Sequence, residues 1–335
     1  MSLLRTAAAR LTLALTSIGL LVLTACAAPG AQEGSGADEE TTIRVGVPRT
    51  FGFLSVLWAR DYQVDGYRFE YSFFPNYTDL LSALASGNVD VAEGGDVGLI
   101  QTYINTNGGV RAFAVTEPAP GAQSVLVKPD SGIESVADLA GKRVVGSTAA
   151  NYYPAFVTLL EQEGLSLEDI EFVDSNPNDA IQAYVQGHVD AFISTDPATA
   201  FAQEQTDSEI LAGFGDIFDN YYPYFASNQT LEDKPEAIQA LTTAIADNID
   251  WAVNNPEEYV ELLAPELGFS EEALELSIGR GATGLQPIDD EFLDESQEWL
   301  QTYGEYDIVT DPDIDLREVF TTDFNDYAVP SGTAG

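Results

Sequence analysis

The sequence predicts an α/β fold of two lobes, each a mostly parallel sheet flanked by helices, joined by a two-strand hinge. Two observations support this prediction. Strand-like and helix-like segments alternate as βαβα in both halves of the chain, an order typical of parallel sheets with right-handed crossovers. In addition, "LSALASGNVDVAEGGD" at 81–96 and "IQAYVQGHVDAFISTD" at 181–196 share Ala, Gly, Val and two Asp at a spacing of 100 residues.

The length of the chain predicts two lobes, and its charge excludes some classes of partner. The 335 residues exceed the size at which a single hydrophobic core usually keeps growing, so two lobes are expected. The chain carries 55 acidic and 13 basic residues, a net charge of −42 at pH 7. Such a surface repels nucleic acids and anionic lipids, and neither is expected as a partner. Because ~1 M salt shortens the Debye length to about 3 Å and screens this repulsion, a high-salt habitat is a reasonable hypothesis.

The N-terminus has the pattern of a secretory signal. Two arginines precede an apolar run that is too short to span a bilayer, so residues 1–25 are expected to be cleaved as a signal peptide. The "LTAC" that ends at Cys26 resembles a bacterial lipobox, which implies that this only cysteine of the chain is lipidated. Residues 26–42 are small and acidic, and are expected to form a lipidated flexible tether at the extracytoplasmic face of the cell membrane.

The first lobe is assigned to 43–122 and 222–335. "TTIRVGVP" alternates as a buried strand followed by a loop at its carboxyl end, the edge at which open α/β sheets bind ligands. A helix, a strand, a helix and a strand follow in "FLSVLWARDY", "YRFEYSFF", "YTDLLSALASG" and "VDVAEGG". Asp96 is predicted to N-cap the next helix, "VGLIQTYINTN". Two consecutive strand-like runs, "VRAFAVTE" and "SVLVKP", then lead into the second lobe.

The second lobe is assigned to 123–221 and repeats this order. A helix start in "SVADL" precedes alternating strands and helices in "KRVVG", "AFVTLLEQEG", "IEFV", "PNDAIQAYVQG" and "DAFIS". One more strand, "YYPYFASNQ", returns the chain to the first lobe, and the remainder is mostly helical. Two crossings between the lobes predict a hinge, so a ligand is expected to bind between the lobes.

The duplicated segments predict positions for ligand-binding residues. Each copy ends a helix at Gly, enters a strand through Val-Asp and brings an aspartate, Asp96 or Asp196, to the carboxyl end of that strand. With one copy in each lobe, these two carboxylates are expected to face each other across the cleft. Asp90 and Asp190 are interpreted as structural residues of the turn or the strand edge. The shared glycines alone are equally consistent with two unrelated joints, because Gly is a common helix C-cap.

The loop "GSTAAN" at 146–151 predicts a site for an anionic group. Its backbone N–H groups and the hydroxyls of Ser147 and Thr148 stand at a helix N-terminus, and Ala149 extends the set. The alternative is an ordinary Ser or Thr N-cap with nothing bound. A zwitterion would place its ammonium group on one of the two aspartates, whereas a neutral aromatic ring would stack on one of three aromatic residues: Phe51, Tyr152 or Tyr222.

The motifs together resemble the nitrate/sulfonate/taurine branch of ABC-importer solute-binding proteins, which have the type II periplasmic-binding-protein fold. The similarity rests on "ALASGNVDVA", "SGIESVADLAGKRVVGSTAANYY", "EQEGLSLEDIEFV", "AIQAYVQGHVDAFISTDP", "PEAIQALTTAIADNIDWAVNNPEE" and "YDIVTDPDIDLREVF". It implies a lipid-anchored extracytoplasmic protein that captures a small organic anion or zwitterion of the sulfonate or taurine kind, while nitrate, bicarbonate and a pyrimidine precursor stay open as ligands. It also implies delivery of this ligand to a membrane permease with a cytoplasmic ATPase.

The resemblance further implies where the ligand is bound. It assigns contacts to the loop after the first strand, to two helix starts and to the Asp-Pro turn: Thr50, Phe51, Gly95, Asp96, Ser147, Thr148 and Asp196. The chain departs from the family beside this turn, because Thr195 and Ala198 stand where sulfonate binders usually carry aromatic residues. The pocket is therefore expected to be wider there, or shaped for another ligand.

Catalysis, cofactors and metals are not expected. "GRGATG" at 279–284 fits a dinucleotide-binding glycine pattern, but it follows a helix and leads into Pro287, so it is interpreted as a loop. The one histidine, His188, stands at a turn, and no His-Cys or Ser-His-Asp set can be built, so the chain is predicted not to be an enzyme.

Two other functions stay open from the sequence. One is a receptor for a neutral or aromatic ligand such as a thiamine-precursor pyrimidine, and the other is a ligand-sensing domain for a signalling partner. In each case the chain is expected to act as a monomer.

Overall fold

The computed structural model describes residues 40–48 and 52–329, and the strands in these ranges form two sheets. In chain order they are β1 (Thr41–Pro48), β2 (Tyr67–Phe74), β3 (Val91–Glu93), β4 (Val110–Thr116), β5 (Gln123–Val127), β6 (Arg143–Gly146), β7 (Glu171–Asp174), β8 (Ala191–Thr195), β9 (Glu209–Gly213), β10 (Pro223–Ser227) and β11 (Leu285–Gln286). The predictions for the signal, for Cys26 and most of the tether, and for Thr50 and Phe51 lie outside the described residues.

Helices connect and cover these strands. They are α1 (Leu54–Ala59), α2 (Tyr77–Ala85), α3 (Asp96–Asn105), α4 (Tyr152–Gln162), α5 (Pro177–Val185), α6 (Ala198–Thr206), α7 (Asn228–Asp233), α8 (Pro235–Asn254), α9 (Pro256–Leu267), α10 (Glu271–Ile278), α11 (Asp290–Glu305) and α12 (Leu316–Val319). Within the described ranges, none of these helices is long and apolar enough to span a bilayer.

Each sheet combines parallel and antiparallel pairing. The strand orders are β11-β4-β10-β3-β1-β2 and β7-β6-β8-β5-β9. The triplets β2-β1-β3 and β7-β6-β8 are parallel, whereas β10 and β5 run antiparallel to both of their neighbours. The α/β class with two helix-flanked, mostly parallel sheets is confirmed, because β1, β2, β3 and β4 run in one direction in the first sheet and β6, β7, β8 and β9 do so in the second. β10 and β5 run the opposite way, because the chain enters each of them directly from the other sheet, without the crossover connection that parallel pairing needs.

The chain passes between the sheets twice, through residues 117–122 and 214–222. These two connections correspond to the predicted hinge. β9 and β11 were not predicted from the sequence. β9 is an edge strand whose side chains are partly or fully exposed, with Ile210 41% exposed, so it lacks the apolar run that marks a buried strand.

The duplicated segments fold in the same way. Asn76 and Asn176 cap α2 and α5, each accepting a hydrogen bond from the N–H group three residues later, at 2.9 and 3.1 Å. Gly87 and Gly187 follow the two helices with φ of +71° and +76°, the left-handed region in which glycine is the least strained residue. The repeat in the sequence is therefore a repeat in the structure.

Asp90 and Asp190 hold the joint that follows each helix, as predicted for structural residues. Each accepts a hydrogen bond from the backbone N–H of an arginine on the adjacent strand, Arg44 at 2.9 Å and Arg143 at 2.8 Å. Burial alone would raise the pKa of Asp90, but hydrogen bonds from Arg44 and Lys234 outweigh it and lower this pKa. Asp190 is exposed and lacks such burial.

Apolar packing holds β1, the strand that precedes α1, against the core. The side chains of Ile43, Val45 and Val47 are fully buried in one core with the apolar face of α8. On α8 the buried positions recur every four residues, at Leu241, Ile245 and Ile249, which places them on one side of the helix. Each such side chain contributes roughly 1.5–3 kcal/mol of burial free energy.

Candidate functional site

A small inter-sheet cavity of about 50 Å³ lies where both sheets and both connections between them meet. β3 contributes Glu93, the turn after β8 contributes Asp196 and Pro197, and the two connections contribute Ala122 and Tyr222. The loop before α1 and the segment from α9 to the loop after α10 complete the wall with Gly52, Phe53, Tyr259, Leu267, Leu274, Ser277, Ile278, Gly281 and Ala282. The carboxyl ends of strands in open α/β sheets are the usual place for a ligand.

Glu93 is a buried carboxylate, 1% exposed, at the carboxyl end of β3. It accepts hydrogen bonds from the backbone N–H groups of Phe53 and Leu54, both at 3.0 Å, and from the Tyr224 hydroxyl at 3.1 Å. Burial raises the pKa of Glu93 to about 7, although these three hydrogen bonds favour the charged form. Glu93 therefore changes its charge near neutral pH.

The loop before α1 passes close to this carboxylate at Gly52. A Cβ atom at that position would lie 2.5 Å from Glu93 Oε2, and the φ of Gly52 is +122°. Both the space and the backbone conformation therefore require glycine. This close approach brings the N–H groups at the start of α1 onto the Glu93 carboxylate.

Asp196 is the second buried carboxylate of the cavity, 5% exposed. Its Oδ1 accepts a hydrogen bond from Ala200 N at 3.0 Å and lies 3.6 Å from Arg280 Nη1, an ionic contact too long for a good hydrogen bond. Its Oδ2 has no hydrogen-bond partner among the described residues. Burial raises the pKa of Asp196 to about 6, and the charge of Arg280 opposes this rise.

Arg280 holds this edge of the cavity through a second contact. Its Nη2 donates a hydrogen bond to Gln203 of α6 at 2.7 Å. Its Nη1 has no hydrogen-bond partner within the part of the chain that the structure describes. In this ion pair, Arg280 Nη1 and Asp196 Oδ2 thus each lack a hydrogen-bond partner among the described residues.

Asp96, the other aspartate of the repeat, has different neighbours and does not line the inter-sheet cavity. It is the first residue of α3, and Gly95 is the N-cap in place of the predicted Asp96. The buried carboxylate accepts hydrogen bonds from Asn151 Nδ2 at 3.1 Å and from the Tyr303 hydroxyl at 2.6 Å. Burial raises the pKa of Asp96, and these hydrogen bonds counteract the rise. Asp96 and Asp196 therefore share no partner.

The N–H groups of the predicted anion site already have partners inside the protein. Thr148 N donates to the carboxylate of Asp174 at 2.8 Å. Ser147 N donates to the Tyr152 hydroxyl at 3.3 Å, and Ala149 N donates to Ser147 Oγ at 3.3 Å. Burial raises the pKa of Tyr152 to about 12, so its hydroxyl stays neutral. An internal carboxylate thus occupies a position expected for an acidic ligand group.

Two of the predicted ligand residues, Asp196 and Tyr222, line the inter-sheet cavity, whereas Gly95, Asp96, Ser147, Thr148, Ala149 and Tyr152 lie elsewhere. Sequence reasoning missed Glu93, Tyr259 and the "GRGATG" loop, of which Gly281 and Ala282 form part of the wall. A glutamate in the apolar strand "VDVAEGG" was an available signal, because buried acids are rare without a role.

Comparisons with known proteins agree with this architecture. A family model described as "NMT1/THI5 like" matches residues 62–259, more than half of the chain. A relative from Escherichia coli (strain K12), whose name describes an aliphatic sulfonates-binding protein, is 26% identical over 247 residues, which is 73% of this chain and 76% of the relative.

Two solved structures share the fold. The periplasmic aliphatic sulphonate binding protein SsuA from Escherichia coli matches with a TM-score of 0.76 at 23% identity, covering 83% of this chain and 91% of that one. The desulfurization enzyme DSZB matches with a TM-score of 0.64 at 17% identity, covering 87% of this chain and 97% of the enzyme. At these identities the two structures establish the fold alone.

Proposed function

Because this chain belongs to the NMT1/THI5-like family, we propose that it is the solute-binding component of an ABC importer. In this proposal two lobes, 43–122 with 222–335 and 123–221, close on a small organic anion or zwitterion and deliver it to a membrane permease. The inter-sheet cavity supports the proposal most directly. Its wall includes residues of both sheets and of both connections, so a ligand bound there would stabilise one arrangement of the lobes.

The proposed ligand is an aliphatic sulfonate or a taurine-like zwitterion. The relative and the structural match described above are named for aliphatic sulfonates. Leu267, Leu274 and Ile278 provide an apolar wall for an alkyl chain. Arg280 precedes the wall residue Gly281 and contacts Asp196, so its guanidinium offers a positive charge at the edge of the cavity.

The other predicted site residues remain part of the proposal. Ser147, Thr148 and Ala149 would bind an acidic group in a state in which Asp174 releases the N–H of Thr148. The remaining candidates from the sequence are Thr50, Phe51, Gly95, Asp96 and Tyr152.

We propose a membrane-anchored, extracytoplasmic location and a monomeric state. The proposal for the anchor rests on the sequence around Cys26, which would carry the lipid once residues 1–25 are cleaved. Residues 26–42 would then tether the folded part to the membrane surface, where the permease is.

Binding is favoured over catalysis. DSZB demonstrates that this fold also serves an enzyme, so the fold does not decide the question. The cavity wall contains two carboxylates, two tyrosines and a serine, but no histidine or cysteine among its described residues. His188, the one histidine of the chain, is exposed at a turn. The wall thus lacks the base that usually activates a serine nucleophile.

An aromatic ligand such as a thiamine-precursor pyrimidine is the second candidate. Phe53, Tyr222 and Tyr259 in the cavity wall favour it, because aromatic side chains pack well on a planar ring. A receptor for a signalling partner would bind either kind of ligand and would differ in having no cognate permease.

A thermal-shift screen tests the proposed function. The purified protein is heated with alkanesulfonates, taurine, nitrate, bicarbonate, amino acids and pyrimidines. A ligand at about 100 times its Kd stabilises the folded state by ~2.7 kcal/mol, which corresponds to a rise in Tm of roughly 5–10 °C. Stabilisation by sulfonates supports the proposal, stabilisation by pyrimidines alone supports the second candidate, and no stabilisation by any of them contradicts both.

A further inference from the structure

We infer that the ligand of the inter-sheet cavity carries a cationic N–H group, a protonated amine or its equivalent, which Asp196 and Glu93 recognise. The inference rests on the proposed function, because it names the chemical class of the captured solute. It adds a requirement to that function, since an alkanesulfonate without an amine lacks the recognised group.

Two buried carboxylates belong to the wall of one small cavity. Glu93 ends β3 of the first sheet, Asp196 follows β8 of the second, and both are at least 95% buried. Glu93 already accepts three hydrogen bonds, whereas Asp196 Oδ2 accepts none from the described residues. A buried carboxylate oxygen without a donor is costly, so a ligand that brings an N–H donor to it gains affinity.

The balance of charges at the cavity also favours a cationic group. The described wall contains two acidic residues and no lysine, arginine or histidine. Arg280, in contact with Asp196, compensates the negative charge of that carboxylate. Glu93, whose pKa burial raises to about 7, carries a second negative charge once the pH is above neutral or a cation binds beside it. A simple anion would add a further negative charge to this buried site, whereas an ammonium group balances that of Glu93.

The tyrosines of the wall and the size of the cavity agree with this charge argument. Tyr222 and Tyr259 belong to the wall, and aromatic side chains attract cations. A water molecule needs roughly 10–15 Å³, so a cavity of about 50 Å³ has room for about four such groups. That space suits the amine end of a small solute.

The test uses pairs of ligands that differ by the amine alone. Taurine and ethanesulfonate are titrated calorimetrically into the unmodified protein, together with propylamine and a 4-aminopyrimidine. Because a hydrogen bond to a charged group changes affinity roughly ten- to a hundredfold, taurine should bind at least about tenfold more tightly than ethanesulfonate. The aminopyrimidine is mostly uncharged at neutral pH, so it tests whether an N–H donor must carry a charge; binding as tight as that of taurine would overturn the requirement for a cation.

Variants locate the effect. Asp196→Asn should weaken taurine binding roughly ten- to a hundredfold and leave ethanesulfonate equal or tighter, because one negative charge is removed. Glu93→Gln should act in the same direction, with circular dichroism as the check on its folding. Asp130→Asn, an exposed acid outside both the cavity wall and the two connections between the sheets, is the matched control and should bind both ligands as the unmodified protein does.

Each result has a separate meaning. Equal affinity for taurine and ethanesulfonate overturns the inference but leaves a sulfonate receptor intact. Loss of both ligands to the same degree in Asp196→Asn also overturns it, because the carboxylate would then act on the protein and not on the amine. Failure of every sulfonate, amine and pyrimidine to bind would reject the proposed function itself.

Discussion

Replacing Glu93 by glutamine should remove a specific pH dependence from the stability of this protein. The folded state buries the carboxyl group and raises its pKa from 4.5 to about 7. The folded state therefore holds the proton more tightly than the unfolded chain does. Consequently the contribution of Glu93 to stability is complete below pH 4.5, falls as the pH rises towards 7 and is constant above that.

The magnitude follows from the size of the pKa change. One pKa unit corresponds to ~1.4 kcal/mol, so a pKa rise from 4.5 to about 7 corresponds to roughly 3 kcal/mol over the full range. Between about pH 5 and pH 8, which avoids acid denaturation, about 2–3 kcal/mol of this change remains. The Glu93→Gln variant would also lose a hydrogen bond from Phe53 or Leu54, since an amide NH₂ group cannot accept one, but that loss is independent of pH.

Urea unfolding of both proteins at about pH 5 and pH 8, in ~1 M NaCl to screen surface charge, measures this difference. The free energy of unfolding of the wild type should fall by about 2–3 kcal/mol more than that of Glu93→Gln between the two pH values. A Tyr224→Phe variant is the control, since it removes one hydrogen bond to Glu93 but keeps the titrating group. Parallel pH dependence of wild type and Glu93→Gln would refute the account of a buried, proton-binding carboxyl group.

Three further predictions concern other parts of the chain. In urea titrations, Asp90→Asn should lower the free energy of unfolding by about 3 kcal/mol, because Asp90 is buried and paired with the cations Arg44 and Lys234. Asp190→Asn should lower it by about 1 kcal/mol, because Asp190 is exposed and accepts a backbone hydrogen bond from Arg143. Equal losses would contradict this difference. Tm should rise between about 0.1 and 2 M NaCl in calorimetry, since salt screens the net charge of −42, and a flat curve would leave this charge without a stability role. Asp174→Asn should tighten sulfonate binding by calorimetry if Thr148 N is an anion donor, whereas unchanged affinity would remove Ser147 to Ala149 from the site.

Local patterns in the sequence were sufficient for most of the fold. Alternating apolar residues identified β1 and β2. Gly87 and Gly187 were correctly predicted to end helices. The direction of β5 and β10 was not accessible in this way, because antiparallel pairing depends on which sheet a strand joins. β9 escaped notice because an exposed edge strand has no buried face to impose a pattern.

The cavity was less accessible because its wall comes from distant parts of the chain. Asp196 was found through the repeat, since the carboxyl end of a strand is a general ligand position. Tyr259 lies on α9 at a position typical of an ordinary core residue, and its place in the wall depends on how α9 packs. Arg280 stands in a glycine-rich loop whose role became visible through its contact with Asp196.

The two copies of the repeat show why identical residues acquired different roles. Both copies use the same Gly and Asp to join a helix to a strand, and these residues keep their function because their partners are within the copy or on the adjacent strand. Asp96 and Asp196 instead take partners from the C-terminal part of the chain, Tyr303 of α11 and Arg280 after α10. That part has no duplicate, so it contacts the two aspartates differently. Contacts from the C-terminal part of the chain therefore account for the difference between the two aspartates. Asp96 is buried and hydrogen-bonded to Tyr303 and Asn151, whereas Asp196 Oδ2 has no hydrogen-bond partner among the described residues.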